Sequence, residues 1–187
     1  MDPDEDLLVR AVSEPAAFEP LVDRHSVALH GYLVRRAPTA ADDLLSEVWL
    51  QAYATRHTYD AARGPARGWL FGVARNVLAR HWQTVSRATD ASQAASEIPE
   101  GDPWRAVDQR LDAAAMGPEL RDGLARLPEP ERELLLLVAW EQLTPTEAAA
   151  VVGIPAGTAR SRLHRARTRL RVALTGTTLT NLTGDFA

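Results

Sequence analysis

Apolar residues recur at three- and four-residue spacing through most of the first half of the chain. Phe18, Leu21, Val22, His25, Ala28, Leu29, Tyr32 and Leu33 make one stripe, the mark of an amphipathic helix. Pro38-Thr39 breaks that helix, and Thr39 is placed to cap the next. Leu44, Leu45, Val48, Trp49, Ala52 and Tyr53 form a second stripe, with Asp43, Glu47 and Gln51 on the opposite side. Asp60-Ala61-Ala62-Arg63-Gly64-Pro65 is a turn cluster, after which Trp69, Leu70, Val73, Val77 and Leu78 resume helical spacing. Short connections between such helices predict a small bundle of about 85 residues.

Periodicity fades after Gln83, where Ser, Thr, Ala, Asp, Gly and Pro dominate. A linker with a short helix near residues 106–115 is expected here, and about 30 extended residues reach on the order of 100 Å. Leu120, Leu124 and Leu127 then make a ridge that Pro128 stops. The run Leu134-Leu135-Leu136-Leu137-Val138-Ala139-Trp140 is apolar nearly all round, which predicts a central buried helix. Thr144-Pro145-Thr146-Glu147 has the form of a capping box with proline at the first helical position, and Gly153 is placed to close a two-turn helix. A last helix is expected from Pro155 to Leu174, with Ala159, Leu163, Ala166 and Leu170 inward. A short helix, a tight turn and a longer arginine-rich helix make a helix-turn-helix. The expected class is therefore all-α. Two small helical domains, residues 1–85 and 118–175, are joined by a flexible linker at 86–117, and a disordered or loosely docked tail follows at 176–187.

The formal net charge of −4 argues against a polyanion partner until it is resolved along the chain. All 21 basic residues are arginine. Residues 61–87 hold five arginines and no acid, residues 148–173 hold six and no acid, and residues 88–125 hold eight acids against three arginines. Two basic blocks around an acidic stretch predict two contacts with a polyanion, against the plainer reading of two solvated helix faces. The absence of cysteine removes disulfides, Cys-based zinc sites and thiol nucleophiles. No apolar run approaches the roughly 18 residues of a spanning helix, and the acidic start is no signal peptide, so the expectation is a soluble cytoplasmic protein without stable membrane insertion.

With its apolar stripe inward, the last helix turns Arg160, Ser161, His164, Arg165 and Thr168 outward on one continuous face. Arginine can fork onto guanine edges or clamp phosphates, and Ser or His adds shorter polar contacts. Thr158 sits in the first turn, where free backbone N–H groups favour a phosphate, and Arg169 lies nearer a DNA backbone. The competing reading is a basic amphipathic helix for a membrane or a protein; the capped helix and glycine turn before it favour DNA.

Leu127-Pro128, Glu131-Arg132-Glu133-Leu134, Thr144-Pro145-Thr146-Glu147-Ala148-Ala149, Gly153-Ile154-Pro155 and the segment from Gly157 to Arg167 together resemble region 4 of bacterial extracytoplasmic-function (ECF) sigma factors. Asp42-Asp43-Leu44-Leu45-Ser46-Glu47-Val48-Trp49 resembles the region 2 helix of the same family, and Arg67-Gly68-Trp69-Leu70-Phe71-Gly72-Val73-Ala74-Arg75-Asn76 its promoter-melting segment. The resemblance implies an RNA polymerase sigma factor. It would bind the β′ coiled coil through Asp43, Glu47 and Gln51, and the β flap through region 4. A melted −10 strand would be taken at Arg75, Asn76, Arg80 and Trp82. Asn76 would line the pocket of a flipped base, Arg75 and Arg80 would hold the backbone, and Trp82 offers a stacking surface. The −35 duplex would be read by Thr158, Arg160, Ser161, His164, Arg165, Thr168 and Arg169. An anti-sigma factor is implied as a further partner. Ser46 departs from the glutamine that the family favours, and Gln142 stands in a turn where glycine is common, which predicts strain there. Trp69 lies on the apolar stripe and reads as core. No cofactor, metal or catalytic residue is expected.

Two other readings compete. One is an ordinary helix-turn-helix regulator with an N-terminal sensing or dimerising domain. The other is a small helical hydrolase using His25, His30 and acids such as Asp23 or Glu47; His25 on the apolar stripe and the lack of any HExxH pair weigh against it.

Overall fold

A computed structural model describes residues 2–92 and 118–183, and among them every regular element is helical. The chain divides into two units, Met1–Val107 and Asp108–Ala187. The expected short helix near 106–115 lies outside the described residues.

In the first unit, α1 (Asp4–Arg10) is followed by a 3-10 turn at Pro15–Phe18, then α2 (Glu19–Val34), α3 (Ala41–Thr55) and α4 (Ala66–Ser92). Leu21, Leu29 and Leu33 of α2, Leu44, Val48 and Ala52 of α3, and Leu70, Val73, Val77 and Leu78 of α4 form its core, as the stripes predict, and Phe71 and Ala74 of α4 join it from outside the predicted stripe. Phe18 meets Trp49 and Tyr53 edge-on at 5.9 and 5.3 Å. Arg36, almost fully buried, lies over the Tyr32 ring, and Tyr32 in turn meets Phe71 edge-on.

Helix α1 was not expected. Leu7 and Leu8 are buried in the bundle, while acids fill the first turn, where the helix dipole favours them. Two further boundaries differ from expectation. Thr39 does not cap α3: the Ala40 N–H bonds the Ala37 carbonyl at 3.1 Å, so a turn occupies those residues and Ala40 takes the cap position without a side-chain bond. Helix α4 does not stop near Gln83 but runs to Ser92, because no glycine or proline interrupts residues 73–98 and weak hydrophobicity alone does not end a helix. The first residues of the expected linker are therefore helical.

The second unit holds α5 (Pro118–Ala125), α6 (Glu129–Ala139), α7 (Pro145–Val152) and α8 (Ala156–Thr183). Helix α6 is buried from Glu131 to Leu137, and α8 packs against α5, α6 and α7. Gly123 lets α5 approach α8 closely; a Cβ there would meet Leu170 Cδ1 at 2.7 Å. The capping box forms in full: Thr144 N–H donates to Glu147 Oε2 at 2.7 Å, and Glu147 N–H to Thr144 Oγ1 at 3.2 Å. Gly153 closes α7 at φ 70°, and Gln142 adopts φ 54°, the strained turn its position predicts. The last helix does not end at Leu174; it continues to Thr183, so residues 176–183 of the expected tail belong to α8.

Candidate polymerase and nucleic-acid interfaces

With Leu44, Val48 and Ala52 turned into the bundle, α3 leaves Asp43 and Glu47 exposed and Gln51 half-buried on its far side. Leu50 stands between them on that face, 73% exposed. The sequence pattern assigned it to neither stripe, although it lies seven positions after Asp43, two helical turns along the same face.

Helix α4 divides the four residues expected at the −10 strand. Asn76 and Arg80 are exposed on one stripe that continues through Gln83 and Arg87. Arg75 and Trp82 are half-buried, about a quarter-turn or more around the helix. Arg80 reaches α3, with a terminal nitrogen 3.4 Å from both Glu47 and Gln51. The Trp82 indole N–H is enclosed without an acceptor among the described residues, and His81 meets the ring edge-on at 5.2 Å. Trp69 packs edge-on against Tyr59 at 5.8 Å.

The two histidines of the hydrolase reading are held apart. His25 is buried against Asp4, Nε2 to Oδ2 2.6 Å, whereas His30 pairs with Asp42 at 2.9 Å on the surface. Asp4 also bonds Arg24. Burial is the largest single influence on the Asp4 carboxyl and pushes its pKa up. The hydrogen bonds and charges of Arg24 and His25 together outweigh it, and the net shift is downward. Among the described residues no group of three His, Asp or Glu side chains could hold a metal ion.

In the second unit, Ala159, Leu163 and Ala166 anchor α8 inward. Arg160, Ser161, His164, Arg165, Thr168 and Arg169 are exposed together, and Thr158 is half-buried at the first turn. The Ser161 and Thr168 hydroxyls donate to the Gly157 and His164 carbonyls, both at 3.0 Å, which leaves their oxygens as acceptors. Arg165 and Arg169 share one partner that sequence reasoning missed. Arg165 Nε donates to Glu131 Oε1 at 3.3 Å, and Arg169 Nη1 to Glu131 Oε2 at 2.7 Å.

A compact helical unit with an acid-and-amide face, beside a helix exposing asparagine and arginine, and a second unit built as a helix-turn-helix define a two-part promoter-binding protein. Comparison with known proteins agrees. The Sigma-70 region 2 family model matches residues 21–88, and the Sigma-70 region 4 model matches residues 118–170. The ECF RNA polymerase sigma factor SigL of Mycobacterium tuberculosis is 30% identical over 171 residues, 88% of this chain and 92% of that one. The ECF RNA polymerase sigma factor RpoE of Cereibacter sphaeroides is 29% identical over 179 residues, 88% and 91%. The solved structure of CnrH in complex with the cytosolic domain of CnrY matches with TM-score 0.60 and 27% identity, covering 94% of this chain and 99% of that one. The chain belongs to the ECF sigma factors of the sigma-70 family, initiation factors of RNA polymerase.

Proposed function

We propose that the protein confers promoter specificity on core RNA polymerase through three surfaces. The α3 face of Asp43, Glu47, Leu50 and Gln51 docks on the β′ coiled coil, where carboxylates suit a basic partner helix. The exposed stripe of α4 takes the melted −10 strand, with Asn76 reading an extruded base edge and Arg80 on the backbone; Arg75 and Trp82 border it from the neighbouring side. Helix α8 reads the −35 duplex, and its unit docks on the β flap. The observation that carries this reading is the outward face of α8, which exposes arginines and no acid directly after a fully capped α7 and a left-handed Gly153.

The protein catalyses no reaction of its own and acts in the cytoplasm with the polymerase. Among the described residues no helix is long and apolar enough to cross a membrane. CnrH was solved in complex with the cytosolic domain of CnrY, which supports a further protein partner here, and an anti-sigma factor is the class of partner proposed.

Each domain reads a short element, so tight promoter binding requires both readers to be held at a fixed separation, which docking on polymerase supplies. The test is anisotropy binding of the full-length protein to promoter DNA with and without core polymerase, alongside run-off transcription on a randomised promoter library. Core polymerase should raise promoter affinity strongly, and the pair should initiate without a second sigma factor. Tight, specific binding by the free protein, with no transcription, would favour an ordinary regulator instead.

A further inference from the structure

We propose that Glu131, on α6 and outside the recognition helix, is a specificity-determining positioning residue of the duplex reader. Its carboxylate sets the pose in which Arg165 and Arg169 meet DNA. The inference rests on the reading of α8 as that reader and adds to it a residue on a different helix.

Glu131 is buried, with its side chain 8% exposed, whereas Arg165 and Arg169 are 55% and 51% exposed. Each carboxylate oxygen takes one guanidinium, so the two arginines, one helical turn apart, are fixed relative to each other as well as to α6. The division of nitrogens matters. Arg165 is held through Nε, which leaves both terminal nitrogens, the pair that forks onto guanine O6 and N7, outside the bond to the carboxylate. Arg169 is held through one terminal nitrogen and keeps its other N–H groups for a phosphate.

An exposed arginine that is not tethered loses rotamer freedom when a contact fixes it. In the triad, part of that loss has already occurred on folding, so a correctly placed base edge meets a prepared donor. The charge works in the same direction. Two guanidinium groups against one carboxylate leave a single net positive charge, which weakens sequence-independent attraction to phosphates. Glu131 thus trades raw affinity for discrimination.

The alternative is that Glu131 only fastens α6 to α8. That role would lower thermal stability but leave the ranking of bound sequences unchanged. Glu131→Gln removes the charge while keeping size, and the arginines it releases are half-exposed and remain solvated, so the variant should fold. Wild-type, E131Q and E131D proteins, full-length and bound to core polymerase, would each select upstream duplexes from a library randomised across that element. Free full-length protein would be titrated with salt on a scrambled duplex, and melting curves recorded in parallel.

E131Q should lose roughly tenfold in preference for the selected over the scrambled duplex, the scale of one weakened bidentate base contact. Its salt slope on scrambled DNA should steepen by up to about 0.9, the value for one added phosphate contact. E131D, which keeps the charge at shorter reach, should recover part of the preference. Preference unchanged in E131Q, or E131D no better than E131Q, overturns the inference whatever the melting curves show. A wild-type protein that selects no upstream sequence overturns the reading of α8 and the inference with it.

Discussion

The Glu5 carboxylate accepts a hydrogen bond from the backbone N–H of Ala66 at 3.0 Å, across 61 residues of chain. Ala66 opens α4, whose first N–H groups have no partner within the helix. The first helix therefore caps the one that carries Asn76 and Arg80. Glu5→Ala should cost about 1 kcal/mol, as loss of a helix cap does, and lower the thermal midpoint. The same carboxylate acts on Tyr59, whose phenol is pushed up to about 12 by burial first and then by the charges of Glu5 and Asp60. Its contribution to stability is full below pH 10 and is lost as pH rises through 12. Ultraviolet titration of E5Q should show Tyr59 ionising earlier than in wild type, yet later than a free tyrosine, because burial remains.

Acid should act on the fold through Asp4. Its pKa lies below the ordinary 3.8, so the stability it confers is present above that value and is lost as pH falls through the folded-state pKa. Asp4→Asn should lower the thermal midpoint at pH 7, where the carboxylate pairs with Arg24 and His25. The gap between variant and wild type should narrow as the pH falls below 3.8 and through the lowered pKa of the folded state. A gap that is constant from pH 7 to pH 2.5 would show that the charge of Asp4 is not what α1 uses.

Leu50 should be a strong contributor to polymerase binding. An apolar side chain 73% exposed amid Asp43, Glu47 and Gln51 has the setting of an interface anchor with a polar rim. Leu50→Ala should weaken core-polymerase affinity about tenfold, or ~1.4 kcal/mol, in a labelled-protein titration. Because the side chain is already solvated, the thermal midpoint should hardly move.

Asn76→Ala separates the two jobs of the first unit. Promoter opening and −10 selectivity should fall, as reported by permanganate footprinting and run-off transcription. Core binding should remain at the wild-type level, since Asn76 is exposed on α4 and takes no part in the α3 face. If core binding fell with it, Asn76 would be holding the bundle together rather than reading a base.

Where local chemistry decides structure, the sequence was readable. Thr144 and Glu147 cap each other at fixed spacing, Gly153 closes the helix behind them, and Gln142 sits at positive φ where glycine would be at ease. The inward stripes of α2, α3 and α4 followed from their period for the same reason. Long-range pairings were not legible. Glu131 meets arginines 34 and 38 residues away, and Glu5 meets a backbone amide, a partner that carries no side-chain signature. Helix lengths were under-read at α4 and α8 because polarity was taken as an ending, while the true signal at α4 was the absence of any breaker. At α8 the helix runs on even through Gly176.

The reach from Glu5 to Ala66 also sets an order of events during synthesis. Glu5 leaves the ribosome some sixty residues before the amide that it caps. Leu7 and Leu8 must wait for the helices that bury them, so the first unit closes late relative to its own beginning and depends on non-local contacts, which slow folding. In the second unit the capping box and the turns are local, and its helices follow one another closely. The two halves of one initiation factor should therefore fold on different clocks, the first unit being the slower.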